Sequence, residues 1–144
     1  MKNITKYLIL FSISVMVVFA ACDTEDVDTE KPIVNIVEPL DHAVFHPGSI
    51  IHLDVELSDN DGLRQYKVDI HFGEGHQHKA FAATPAPWVF DSIGNVDGRN
   101  RHLHMDIAVP ANAPLGEYHL LVFATDLSGN EAFKAIEIKI QQPL

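Results

Sequence analysis

The segment HFGEGHQHKA, His71 to Ala80, sets three histidines within ten residues, and His102-Leu103-His104 repeats the His-X-His spacing of His76 and His78. Nine of the 144 residues are histidine. Zinc, copper and nickel favour imidazole, and a zinc site needs three or four ligands at about 2.0–2.2 Å. On a β-strand, His-X-His turns both rings to one face, where they can chelate one ion. In a glycine-flanked loop the backbone can adapt to the same end. Asp69 or Glu74 would add a carboxylate, as ligand or as the hydrogen-bond partner that orients an imidazole. The competing reading is that solvated histidines decorate loops and outer strand faces.

Asp59, Asp61 and Asp126 form a different set, in two acidic turns that should lie together, with Asp28 and Glu30 entering nearby. Hard oxygen ligands suit calcium. Asp and Asn before Gly also build turns by bonding the backbone, which is the simpler account of these residues. Catalytic signals are missing: there is no Gly-X-Ser-X-Gly elbow and no phosphate-binding glycine loop. The expectation is a binding protein and not an enzyme.

The histidines need a scaffold, and alternation supplies one. In IIHLDVELS, Ile51, Leu53, Val55 and Leu57 alternate with His52, Asp54 and Glu56. In LRQYKVDIHF, Tyr66, Val68, Ile70 and Phe72 alternate with polar residues ending at His71. RHLHMDIAV alternates Leu103, Met105, Ile107 and Val109 with His102, His104 and Asp106. Period-2 runs separated by turn residues describe an all-β sandwich, and they put His52, His71, His102 and His104 on outer faces. Two further strands follow, with Tyr118, Leu120, Val122 and Ala124 inward in the first and Ile136, Ile138 and Ile140 in the second. Residues 79–101, interrupted by Pro85, Pro87, Gly94 and Gly98, should hold one or two short edge strands, with Trp88 and Phe90 covering the core.

The ends of the chain read differently. Lys2 and Lys6 precede an apolar run from Tyr7 to Phe19, then Ala20-Ala21-Cys22. A basic start, a short apolar stretch and small residues mark a secretory signal over residues 1–21, and the run is short for a membrane span. Phe19-Ala20-Ala21-Cys22 resembles the lipobox of bacterial lipoproteins, which implies that Cys22 is lipidated and becomes the mature N-terminus. Cys22 is the only cysteine, so no internal disulfide can staple the domain. Asp23 to Glu30 holds five acids in eight residues and reads, with Cys22, as a solvated tether over 22–30. Acids directly after such a cysteine resemble the surface-export signal of Bacteroidetes lipoproteins. A formal net charge of −10 argues against a nucleic-acid partner, which needs a basic footprint.

Residues 31–144 have the length of one domain. SDNDGL, Ser58 to Leu63, and PLGEYHLLVFATDLSGN, Pro114 to Asn130, resemble two turns of bacterial immunoglobulin-like domains. Tyr118 is placed like their tyrosine corner. With the lipobox, the histidine-rich loop, HLH and GEYH, the whole chain resembles the Bacteroidetes lipoprotein family known as domain of unknown function 4625. That resemblance implies an Ig-like, Greek-key antiparallel β-sandwich of about seven strands, and no activity. In such a layout the third and sixth strands are neighbours, so His71 and His119 should lie close, near the loop carrying His76 and His78. His42 and His46, in the first connection, turn at the same end. The fifth strand normally pairs with the second, which would separate His102 and His104 from that cluster and put them with His52. A different path through residues 79–101 would make the two clusters partners. The expectation is an exported module, lipid-anchored to the outer membrane at the cell surface, whose histidines bind zinc, copper or a metal-containing ligand. An outer-membrane transporter or other surface protein is the partner such a module would serve. The alternative is an adhesive module that binds protein or glycan without metal.

Overall fold

A computed structural model describes residues 27–73 and 87–143. Cys22, the signal segment, and the loop residues Glu74, His76 and His78 lie outside the described residues.

Eight strands follow one another: β1 Ile33–Glu38, β2 Ala43–Phe45, β3 Ile50–Ser58, β4 Leu63–Phe72, β5 Phe90–Asn95, β6 Asn100–Ala108, β7 Gly116–Asp126 and β8 Glu131–Ile140. They form two sheets, β1-β3-β6 and β2-β8-β7-β4-β5. All pairings are antiparallel except the short parallel one of β2 with β8. This is an immunoglobulin-like sandwich: the chain passes from one sheet to the other between β3 and β4, β5 and β6, and β6 and β7, and the two layers enclose one core.

The core follows from the alternation. Ile51, Leu53, Val55 and Leu57 of β3 are buried, as are Leu103 and Ile107 of β6 on the same sheet. Facing them across the sandwich are Val68 and Ile70 of β4, Tyr118, Leu120, Val122 and Ala124 of β7, and Ile136, Ile138 and Ile140 of β8. Met105, Trp88 and Phe90 are partly buried against this cluster, which is the covering role expected of the last two. Tyr118 is fully buried, and its hydroxyl donates to the carbonyl of Pro114 at 2.9 Å. Phe72 meets its ring edge-on at 5.1 Å, and Trp88 tilts against it at 5.7 Å.

Two features depart from a seven-strand count. The chain leaves β1 through a cis Glu38–Pro39 bond, turns at His42 with φ of 64°, and adds β2 to the other sheet beside β8. The His42 N–H donates to the carbonyl of Glu137 at 2.7 Å, and the Glu137 N–H donates to Asp41 Oδ1 at 2.9 Å. Those bonds pin the switch. The awkward stretch before residue 101 yields a single described edge strand, β5, paired with β4. There Gly94 lies under the Tyr66 ring, where a Cβ would come within 2.4 Å of it. The aromatic ring fills the space that the edge glycine leaves open.

Candidate metal centres

Among the described residues, the outer face of the smaller sheet carries the most complete histidine group. Because β3 buries its odd-numbered residues, His52, Asp54 and Glu56 face out; because β6 buries Leu103 and Ile107, so do His102, His104 and Asp106. Register then sets His52 opposite Asp106, Asp54 opposite His104 and Glu56 opposite His102. Each histidine thus faces a carboxylate across the strands. His52 Nδ1 lies 2.7 Å from Asp106 Oδ1. His102 Nε2 hydrogen-bonds Asp54 Oδ1, and His104 Nδ1 is 3.7 Å from Asp54 Oδ2. The two rings of His102 and His104 sit 4.2 Å apart.

His102, His104 and Asp54 each offer a ligand atom, and all of these lie within 4.8 Å of one another. Two donors on opposite sides of a zinc ion stand only about 4 Å apart, so small side-chain rotations would bring all three onto one ion. Two imidazoles and one carboxylate on a rigid sheet would leave a coordination position for water or a ligand. Asp54 was not singled out by the sequence reading. Its alternation with His52 was visible, but its place opposite His104 depends on a pairing between segments some fifty residues apart.

The outer face of the larger sheet holds His71 and His119, with His42 nearby. His71 of β4 and His119 of β7 are directly paired, with rings 5.5 Å apart and nearly perpendicular. Asp69 Oδ1 accepts a hydrogen bond from His71 Nδ1 at 2.5 Å, while its other oxygen pairs with Lys67 at 3.4 Å. Asp69 therefore orients His71 from behind. His119 Nε2 is 3.9 Å from Glu137, and His42 Nδ1 is 3.4 Å from the same carboxylate. With Asp41, these side chains line an open depression of about 360 Å³. Among the described residues, His71 and His119 do not complete a three-ligand group. His46 is used structurally, since its Nδ1 donates to the Gln141 carbonyl at 2.7 Å.

His102 and His104 are not partners of the His71–His119 pair. The two sets stand on outer faces of different sheets with the core between them, so one ion cannot touch both.

The acidic turns converge as well, with one substitution in membership. Asp59 and Asp126 come together, and the third member is Asp28, not Asp61. Asp61 is exposed; its N–H donates to Asp59 Oδ2 at 3.0 Å, which is turn chemistry. Burial pushes the Asp126 carboxyl up, but hydrogen bonds from the Asn130 side chain and from the backbone of Asn130, Gly129 and Ser128 outweigh it and hold the group below the usual carboxylate range.

Three solved structures are similar to this chain at low identity. Sporulation control protein Spo0M from Bacillus subtilis matches with a TM-score of 0.51 at 11% identity, over 78% of this chain and 49% of its own. OgpA from Akkermansia muciniphila, solved with an O-glycopeptide substrate, matches at 0.52 and 13% identity, over 85% of this chain and 32% of its own. A CARDB domain from Pyrococcus furiosus, in complex with di-metal ions, matches at 0.41 and 12% identity, over 83% of this chain and 99% of its own. The chain thus spans half or less of the first two proteins. No curated protein matches it. The family match is of another order, running from residue 20 to residue 141, and by it the chain belongs to the domain of unknown function family DUF4625.

Proposed function

We propose that this protein is a non-enzymatic binding module, lipid-anchored through Cys22 to the outer membrane and displayed at the cell surface, that captures a transition metal or a metal-containing ligand. The observation that carries the reading is the group of His102, His104 and Asp54 on the outer face of the β3–β6 pair. Zinc and copper both suit two imidazoles and a carboxylate. His71 and His119 offer a further pair of imidazoles on the opposite sheet. A surface transporter would be the natural recipient of such cargo.

The experiment is calorimetric titration of the protein with zinc and with copper, repeated on His102→Ala and Asp54→Ala. One ion per chain should bind, with affinity reduced about tenfold or more in each variant, as loss of a ligand or its orienting partner does. Binding weaker than roughly millimolar would remove the reading, since it would amount to about 4 kcal/mol or less.

The adhesive alternative has its own support on the larger sheet. Ile93, Lys67, Phe123 and Phe133 form one cross-strand row, in which Ile93 and Phe133 are each 61% exposed and the two phenylalanine rings lie 5.4 Å apart. A strip of exposed apolar and aromatic groups suits a protein or glycan surface. Under that reading, Phe133→Ala abolishes ligand binding and metal is irrelevant.

A further inference from the structure

We infer that Asp28, Asp59 and Asp126 form a calcium site that clasps the leading segment of the chain onto two turns at one end of the sandwich. Three separate parts of the chain meet there. Asp28 precedes β1, Asp59 sits in the β3–β4 turn, and Asp126 closes β7 before the hairpin to β8. Their carboxylate oxygens lie within 4.8 Å of one another.

Turn chemistry accounts for only part of this. Asp28 Oδ1 accepts from the Glu30 N–H at 3.0 Å and from Asn60 Nδ2 at 3.1 Å. Asp59 Oδ2 accepts from the N–H groups of Asp61 and Gly62 at 3.0 and 2.7 Å. The remaining oxygen on each, Asp28 Oδ2 and Asp59 Oδ1, is buried and has no hydrogen-bond partner. Asp59 as a whole is only 9% exposed. Asp126 is fully buried, and both of its oxygens accept from Asn130 at 2.7 Å. A carboxylate oxygen has lone pairs beyond the one such a bond uses, so Asp126 can still coordinate.

Buried polar atoms are ordinarily paired, and buried carboxylates are paired with cations or metal ions. Among the described residues, no lysine, arginine or histidine forms an ion pair with any of the three. A bridging water would answer the two lone oxygens but leave three negative charges converging. A divalent cation answers both at once. The donors are all oxygen, which selects a hard ion, and they come from a turn, a strand end and the segment before β1, which suits calcium's tolerance of irregular geometry more than magnesium's strict octahedron. Asn130 Nδ2 also donates to the Asp28 carbonyl at 3.0 Å, so the leading segment is held in place for the ion.

Calcium titration of the purified full chain in detergent tests the site, with Asp28→Asn and Asp59→Asn beside the wild type. Asp28 lies outside the strands, so its variant keeps the fold even if Asp59→Asn does not. The wild type should bind one ion with a dissociation constant of about 1 mM or tighter, as extracellular calcium modules do, and its thermal midpoint should rise with calcium. Asp28→Asn should bind at least about tenfold more weakly and lose the thermal shift. Absence of saturable binding up to about 10 mM calcium would overturn the proposal. So would undiminished affinity in Asp28→Asn, because the ion would then sit elsewhere on the acidic segment.

Discussion

Tyr118 shows how one side chain ties the core to a loop. Burial raises its phenol above the ordinary range, with a backbone hydrogen bond from Trp88 in partial opposition, so the hydroxyl stays protonated and donates to Pro114. Tyr118→Phe keeps the ring and loses that bond, which should cost about 0.5–1.5 kcal/mol. Tyr118→Ala also empties the space between Phe72 and Trp88 and should cost about 3–5 kcal/mol. Equilibrium unfolding in urea measures both; two neutral results would mean that the corner is not a structural joint. Asp126 supplies a pH-dependent counterpart. A carboxylate held below its unfolded value stabilises the fold above that value, and the contribution is lost as pH falls through the folded one. Wild-type stability should therefore fall more steeply than that of Asp126→Asn as pH drops below about 4. Parallel acid limbs for the two proteins would contradict the hydrogen-bonded, ionised state of Asp126.

At the scale of the strand, the β3–β6 pair alternates apolar residues inward with histidines and carboxylates outward. Its inward half was legible from the sequence, because alternation reports which face each residue takes without any knowledge of the partner strand. The outward half was legible only in part. His102 and His104 were visible as a pair, yet Asp54 joins them through register, and register between distant strands leaves no local mark. The same limit hid β2: a three-residue strand has too few alternations to detect, and its crossing to β8 is set by a turn. It also left Asp28 as a residue entering near the acidic turns, when the two turns far along the chain make it, and not Asp61, the third member of their group. Exposed ion pairs contribute little by themselves, about 0.2–1 kcal/mol. His102→Ala and Asp54→Ala should therefore change the stability of the metal-free protein by less than about 1 kcal/mol while removing stabilisation by zinc. A large loss without metal would make the ladder a structural device instead of a binding site.

For the whole molecule, the sandwich separates two groups of potential cation ligands among the described residues: one on the outer face of the smaller sheet and one where the leading segment meets the β3–β4 and β7–β8 turns. The membrane reading rests on residues 19–22, so Cys22→Ser should release the protein from the membrane fraction, as loss of the lipid anchor does. A Cys22→Ser protein that stayed with the membrane and still took up labelled fatty acid would contradict it. The central claim is narrower: the smaller sheet, through His102, His104 and Asp54, holds the metal. Nitrogen NMR of the histidine rings during zinc titration tests it most directly, because a bound imidazole nitrogen has exchanged its proton for the ion. The account predicts that the His102 and His104 signals move together and stop at one equivalent, and that they revert as added acid competes for the rings. Shifts confined to His71, His76, His78 and His119, with His102 and His104 unmoved, would contradict it.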